Sequence, residues 1–126
     1  MVWYNYLQNA KKFDINYFIR VFQEIKQTKD TIRPAYVQLT VKQGGSDTNA
    51  GKVIYTPPRN ETIIHDRLDN LVNFANDDLQ FKIDPLLKMA MAHFQFEAVH
   101  PFRDGNGRTG RVFNINFLTN KGMLDL

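Results

Sequence analysis

The spacing of apolar residues along the chain predicts four helices, interrupted once by a pair of strands. Apolar residues that recur every three or four positions are typical of a helix with one face on a core. The first predicted helix follows Asp14, a suitable N-cap, and its apolar face is Ile15, Phe18, Ile19, Phe22 and Ile25. The second begins at Glu61, and its apolar face is Ile64, Leu68, Leu71, Val72 and Ala75.

The third and fourth predicted helices flank the most polar segment of the chain. Asp84 can cap the third helix, and Pro85 fits its first turn, where a missing N–H costs nothing. Its body is apolar on nearly every side, which predicts a place in the middle of a bundle. One stripe consists of Leu87, Ala90, Met91, Phe94 and Ala98, while Met89 and Phe96 fall elsewhere. The fourth helix is predicted to open near Gly107 and to end around Lys121 and Gly122, a common stop.

The predicted strands lie between the first two helices. Residues 35–42, AYVQLTVK, alternate in polarity, and residues 52–55, KVIY, form a second β-prone run. The connecting residues, QGGSDTNAG, tolerate turns, and two prolines after Thr56 end the second strand. The pattern therefore predicts a mainly α fold, a helical bundle with one β-hairpin that has a mobile tip.

Composition limits the class of protein. The 126 residues allow a single domain, and the 43% hydrophobic and 23% charged content is typical of a folded globular chain. No apolar run is long enough to span a membrane, and the start lacks the order of a signal peptide, so we expect a cytoplasmic protein without a membrane partner. The absence of cysteine excludes disulfides, thiolate nucleophiles and Cys-ligated zinc.

The net charge of +3 and the pI near 9.2 do not point to nucleic acid. Basic residues are spread through the chain, and no basic stripe is interleaved with aromatic residues as in proteins that bind single strands. We therefore expect no direct nucleic-acid partner.

Polar chemistry concentrates in residues 100–111, HPFRDGNGRTGR, which we call the motif segment. Gly105, Asn106 and Gly107 stand immediately before a helix, where successive backbone N–H groups and the helix dipole favour an anion. The same three residues would also make a tight turn with an asparagine cap. The pattern alone leaves both interpretations open.

Arg108 and Arg111 favour the anion site. They stand three residues apart in the first turn of the helix, where the dipole disfavours cations by roughly 0.3–1 kcal/mol each. A polyphosphate held by both guanidiniums would account for this placement, whereas solvated surface arginines would not require it. Asp104 is an odd neighbour for phosphate unless Mg²⁺ lies between them, although it could instead be a turn or capping residue.

His100 lies at the exit of the third helix, four residues before Asp104. A neutral imidazole is the best general base available near neutral pH, and it is the natural group to take a proton from an attacking hydroxyl. An alternative set, His93, Glu97 and His100, shares one helical face and could bind a transition metal. If His100 were a metal ligand, it could not act as the base, and it is the only convincing candidate for that role.

The motif segment is similar to the signature of the Fic family, H-[PX]-F-x-[DE]-G-N-G-R-x-x-R, and matches it at every defined position. The neighbouring stretches FEAVHPF, TIRPAYVQLTV, VIYTPP and NKGMLD also resemble Fic proteins. The resemblance extends from about Phe13 to the C-terminus. It implies a single Fic-like helical core over residues 1–126 that transfers AMP from ATP to a Ser, Thr or Tyr hydroxyl of a target protein.

The resemblance also implies a role for each matching residue. His100 would be the catalytic base, Asp104 would hold Mg²⁺, and Phe102 would pack in the core. Gly105, Asn106 and Gly107 would form the anion hole, and Arg108 and Arg111 would bind the outer phosphates. The hairpin would be a flap that docks the target by strand addition, through Lys52, Val53, Ile54, Tyr55 and Thr56.

Two departures from the Fic pattern limit what the resemblance implies. The inhibitory motif [ST]-x-x-x-E-[GN] is absent, and the chain stops soon after the last motif helix. We therefore expect a core truncated at one or both ends, with a missing inhibitory helix or a separate inhibitory partner. The apolar stripe of the first helix, together with Phe113, Ile115 and Phe117, would then lack part of its cover, which favours a homo-oligomer.

Three alternatives to AMP transfer stay open. A kinase-like relative usually has lysine in place of Gly107, which argues against phosphorylation here. Transfer of another group, such as phosphocholine, or removal of AMP from a modified target is compatible with the motif. A catalytically silent nucleotide-binding or interaction module is the third alternative.

Overall fold

The computed structural model describes residues 12–34, 41–42 and 53–124, and within them the chain is mainly helical. The described part contains four α-helices, α1 (Ile15–Lys26), α2 (Glu61–Asn76), α3 (Pro85–Val99) and α4 (Asn106–Asn120). Helix α3 packs against both α2 and α4, and α1 packs mainly against α4. The predicted mainly α class is confirmed, and α3 packs between α2 and α4, but one of its faces is exposed, so the predicted place in the middle of a bundle is correct only in part.

The helix ends follow the capping residues that the sequence contains. The Asp14 carboxylate accepts a hydrogen bond from the Tyr17 N–H at 2.7 Å, and the Asp84 carboxylate accepts one from the Leu86 N–H at 3.0 Å. Helix α4 ends with Gly122 at φ 73°, where the Met123 N–H reaches the Leu118 carbonyl at 2.9 Å. This hydrogen bond is typical of a Schellman stop, as the predicted end required.

The core is rich in aromatic rings from α1, α3 and α4. Phe18 stacks on Phe96 with ring centroids 5.0 Å apart, and Phe113 lies 5.3 Å from Phe18. The Tyr17 hydroxyl, inside this cluster, donates a hydrogen bond to the side-chain oxygen of Asn116. Large rings bury much apolar area each, so these contacts fix how the three helices pack.

The buried face of α3 differs from the predicted stripe. Ala92, Phe96 and Val99 are buried, whereas Leu87, Met91 and Phe94 are exposed. The prediction was wrong because α3 is apolar on nearly every side, so periodicity could not select the face that meets α2 and α4. An exposed apolar face therefore runs along α3 in the described structure.

We expected Phe113, Ile115 and Phe117 on α4 to be partly uncovered, and this expectation is correct only for Ile115. Phe113 and Phe117 are fully buried, and Ile115 is 44% exposed. The expectation failed for the two phenylalanines because Phe113 packs on Tyr17 and Phe18 of α1, and Phe13 packs against both phenylalanine rings of α4. A homo-oligomer stays a prediction.

Two short strands pair antiparallel, β1 (Val41–Lys42) and β2 (Val53–Tyr55), with Val41 opposite Tyr55. Lys52 and the rest of the connecting segment lie outside the described residues, as do residues 35–40. The hairpin flap as a whole therefore stays a prediction. No helix in the described part of the chain is long and apolar enough to cross a membrane.

Two phenylalanines on α3 test the observed burial. Phe96→Ala is expected to lower the free energy of unfolding by about 3–5 kcal/mol, because a fully buried ring leaves a cavity. Phe94→Ala is the matched control and should change it by at most about 0.5 kcal/mol, since this ring is 73% exposed. Urea unfolding measures both, and equal effects would contradict this packing of α3.

Candidate active site

His100 caps the C-terminus of α3 in a left-handed conformation, with φ 50° and ψ 60°. Its backbone N–H reaches the Phe96 carbonyl at 3.0 Å, which closes the helix. A left-handed conformation at a residue other than glycine costs about 1–3 kcal/mol and persists where the surroundings fix it. Pro101 follows and restricts His100 further. The predicted base therefore sits at a strained bend.

The ring of His100 is held by its own helix. Its Nδ1 lies 3.2 Å from the Glu97 carbonyl oxygen. A carbonyl only accepts hydrogen bonds, so Nδ1 carries the proton in the neutral ring, and Nε2 keeps a free lone pair. This tautomer is the one that a general base requires.

An apolar recess of about 350 Å³ borders His100. Its walls are Tyr55, Phe94, Glu97 and Ala98. The Tyr55 hydroxyl donates a hydrogen bond to the Ala98 carbonyl at 2.8 Å, which ties β2 to the end of α3. His100 thus lines a cavity whose walls are mostly apolar.

The loop between α3 and α4 is anchored by Phe102 and Asn106. Phe102 is fully buried and stacks on Phe22 with centroids 4.1 Å apart, as the resemblance implied. The Phe102 N–H donates to the Asn106 side-chain oxygen at 2.9 Å, and the Asn106 side-chain amide donates to the Phe102 carbonyl at 2.8 Å. Asn106 was predicted to belong to the anion hole or to cap a tight turn, and neither prediction included this buried amide pair.

The N-terminus of α4 is open to an anion. Gly105 at φ 81° precedes the helix, and no side chain caps it. The first N–H groups of a helix without a cap are free to bind other acceptors. A Cβ at Gly105 would lie 3.1 Å from Lys26 Cδ, so a larger residue would be crowded as well as strained. The predicted anion cradle of Gly105, Asn106 and Gly107 therefore lies at a helix start that no side chain caps, and its role stays a prediction.

Arg108 and Arg111 are both exposed on the first turns of α4. The Arg111 guanidinium reaches back over Gly107, since a Cβ on that glycine would lie 3.5 Å from Arg111 Nη1. Neither arginine forms a salt bridge with a carboxylate among the described residues. Both charges are therefore available to an anion at the cradle.

Asp104 is paired with Lys26, a contact that the sequence analysis did not predict. Lys26 Nζ lies 2.6 Å from Asp104 Oδ2. This ammonium, and then the Gly105 N–H, hold the pKa of the Asp104 carboxyl below its ordinary value. The carboxylate is 73% exposed and beside the cradle, so it is ionised and within reach of a cation.

The alternative metal set does not assemble. His93 and Glu97 form an i, i+4 pair with Nε2 and Oε1 3.8 Å apart, but His100 turns out of the helix and its Nδ1 faces a backbone carbonyl. Within residues 12–34, 41–42 and 53–124, no three His, Asp or Glu side chains converge on one point. A Mg²⁺ ion held by one carboxylate and phosphate oxygens does not require such a cluster.

The comparison with protein families agrees with this geometry. The model of the Fic/DOC family matches residues 14–118, which covers all four helices from the start of α1 to the last turn of α4. The chain belongs to the Fic/DOC family. The resemblance stated from the motif segment is thereby confirmed.

Curated relatives of this Fic/DOC chain are named protein adenylyltransferases. Protein adenylyltransferase fic-1 of Caenorhabditis elegans is 41% identical over 58 residues, which cover 46% of this chain and 11% of the relative. A probable protein adenylyltransferase of Aquifex aeolicus is 32% identical over 72 residues, 57% of this chain and 22% of the relative. Protein adenylyltransferase Fic of Aedes aegypti is 34% identical over 55 residues, 44% of this chain and 11% of the relative. The chain thus spans a small part of these proteins.

The ion pair of Asp104 predicts a specific titration. In Lys26→Met, the pKa of Asp104 should rise towards its ordinary value, because the first cause of its lowering is removed while the aliphatic stem beside Gly105 is kept. Carboxyl ¹³C NMR measures the shift. Asp78, whose low pKa depends on Lys121 and Lys88, is the internal control and should not move.

The sign of the linked stability change follows from the direction of the shift. The folded pKa of Asp104 is lowered, so the pair stabilises the fold above the ordinary Asp pKa, and that contribution is lost as pH falls through the lowered value. Lys26→Met should remove this part of the acid dependence. An Asp104 titration equal in both proteins would contradict the ion pair.

Proposed function

We propose that this Fic/DOC chain is the core of a protein adenylyltransferase, which transfers AMP from ATP to a Ser, Thr or Tyr hydroxyl of a target protein. The observation that carries the proposal is the placement of a base and an anion cradle at the two ends of one short loop. His100 ends α3, and the open N-terminus of α4 begins at Asn106. The names of the curated relatives support the same reaction.

The proposed reaction begins at His100. Nε2 takes the proton of the target hydroxyl while the hydroxyl oxygen forms a bond to the α-phosphorus of ATP. The bond from that phosphorus to the β-phosphate oxygen breaks, and pyrophosphate leaves. In the neutral ring, the Nδ1–H···O bond to Glu97 would leave Nε2 as the nitrogen that accepts the proton, and the same bond would orient the ring during the transfer.

The cradle would bind the negative charge that ATP carries. Backbone N–H groups at the uncapped start of α4 and the Arg111 guanidinium over Gly107 would be in place before the substrate arrives, which is the condition for effective electrostatic stabilisation. Arg108, exposed on the first turn of α4, would add its charge. Both arginines stand where the helix dipole disfavours cations, so an anion also relieves a cost of the free protein.

Asp104 would hold the Mg²⁺ that accompanies ATP. Its carboxylate is ionised, exposed and next to the cradle, although Lys26 occupies one oxygen in the free chain. Mg²⁺ would neutralise phosphate charge and orient the leaving group. Lys26 would then be free to turn its ammonium towards the phosphates.

The target would approach from the side of the recess. Tyr55 and Thr56 are exposed at the end of β2, and the recess between Tyr55, Phe94 and Ala98 leads to His100. A target segment that adds to the strand pair, as the flap interpretation requires, would bring its hydroxyl towards the imidazole. A separate inhibitory partner and a homo-oligomer remain proposals of the same kind.

One labelling experiment tests the reaction. With Mg²⁺ and ATP labelled at the α- or the γ-phosphate, the α-label should appear on protein in lysate, and His100→Ala should lower the rate by about 10²–10⁴-fold. His65→Ala, an exposed histidine on α2, is the control and should leave the rate unchanged. Transfer of the γ-label would indicate a kinase, and binding without transfer would indicate a silent module. Loss of a label from premodified protein would indicate AMP removal.

Nucleotide binding tests the cradle separately. Arg111→Gln should weaken ATP binding by about 10–100-fold, because a hydrogen bond to a charged group contributes about 1.5–3 kcal/mol. Isothermal titration calorimetry with Mg²⁺ and ATP measures the change. Arg103→Gln, an exposed arginine in the same loop, is the matched control. An equal loss of ATP affinity in both variants would show that Arg111 contributes only to the overall positive charge and makes no specific contact.

A further inference from the structure

Arg33 lies ahead of β1 in sequence, and it binds three successive carbonyl oxygens at the end of α3. Its backbone N–H donates to Pro101 at 2.9 Å, its Nε to His100 at 2.8 Å, and its Nη2 to Val99 at 3.2 Å. The same Nη2 also donates to the carbonyl of Pro58. The side chain is 1% exposed, so these contacts are made away from solvent.

These three carbonyls span the strained residue of the site. His100 adopts a left-handed conformation immediately before a proline, an arrangement that its own preferences oppose. The His100 N–H donates one hydrogen bond to the Phe96 carbonyl of its own helix, and the Phe102–Asn106 pair fixes the chain two residues later. Between these two points, Arg33 is the described residue whose donors bind the carbonyls.

The charge of Arg33 suits this position. The last carbonyls of α3 carry the negative end of the helix dipole, and a guanidinium can donate in a planar fork to several acceptors at once. Burial lowers the pKa of Arg33 from its ordinary value, while the nearby Tyr55 raises it. Lysine would keep the charge but lose the fork.

We infer that Arg33 is the positioning residue of His100, which holds the backbone bend that presents Nε2 and ties that bend to the segment following β2 through Pro58. Its effect on catalysis rests on the proposed function, whereas its effect on the His100 ring does not. Tyr55 joins the same two parts through Ala98, so the strand pair and the end of α3 are linked at two points. Arg33 itself would touch neither ATP nor the target.

Imidazole NMR tests the inference without any assay of activity. The chain has three histidines, so a long-range ¹H–¹⁵N spectrum at about pH 8, above the ordinary His pKa of about 6.5, resolves each ring. Wild-type His100 should show the Nδ1–H tautomer. In Arg33→Lys, the His100 signals should shift and the tautomers should mix, while His65 on α2 stays unchanged. Arg59→Lys, an exposed arginine beside Pro58, is the matched control.

Kinetics extend the test if the chain transfers AMP. Arg33→Lys should lower kcat by about 10–100-fold, as expected for a displaced catalytic group, and should leave the Kd for ATP within about threefold. If Arg33 had a merely structural role, Arg33→Lys would lower the stability of the fold without lowering kcat selectively over ATP binding. If wild type transfers no label but the His100 ring responds as expected, the proposed function fails and the positioning role stands.

Two results would overturn the inference. An unchanged His100 tautomer in folded Arg33→Lys would show that the bend holds without the guanidinium. If Arg33→Lys does not fold, Arg33→Gln, which keeps amide donors without a buried charge, is measured in the same way. Global unfolding of both variants would assign Arg33 to the stability of the whole fold and would also contradict a local role.

Discussion

The structure depends on how the backbone of one loop satisfies its hydrogen bonds. Residues 99–102 leave a helix and pass through the core, where water is excluded and unpaired carbonyls are costly. Arg33 binds the carbonyls of Val99, His100 and Pro101, and Asn106 pairs with both backbone groups of Phe102. Two buried residues thus bind the backbone of four successive residues, the Pro101 carbonyl through the backbone N–H of Arg33 and the others through side chains. The polar residues that follow are therefore carried by a loop whose backbone groups are all paired.

The backbone in this loop is buried and hydrogen-bonded, whereas positive charge is in excess after it. Up to Phe102 the backbone is buried and fully paired, whereas Arg108 and Arg111 stand exposed at the positive end of α4. Lys26 adds a third positive charge beside these two arginines. The Asp104 carboxylate that pairs with Lys26 neutralises only one of the three charges. A cluster of this kind is poorly balanced in the free protein and well suited to a polyanion. A paired backbone on one side and excess positive charge on the other are compatible with the proposed in-line transfer from a bound nucleotide.

Local features could be predicted from the sequence, and long-range contacts could not. Capping residues such as Asp14 and Asp84 form hydrogen bonds within three residues, so the helix starts could be predicted from the sequence. The motif segment was readable because its chemistry is contiguous. The contacts of Lys26 with Asp104 and of Arg33 with His100 span 78 and 67 residues, and no periodicity relates such positions. Arg33 carries one weak signal, an arginine between Ile32 and Pro34 just before a β-prone run, which a surface position would also explain.

The failure of periodicity on α3 has a consequence for the site. Phe94 and Phe96 look equivalent in an apolar helix, yet one is exposed and the other packs on Phe18. The exposed face runs from Leu87 through Met91 to Phe94, and Phe94 is also a wall of the recess beside His100. Any chain that packs on this face, whether a further segment, a second copy or the target itself, would also narrow the approach to the imidazole. Cover of α3 and access to the base are therefore coupled through one side chain, Phe94.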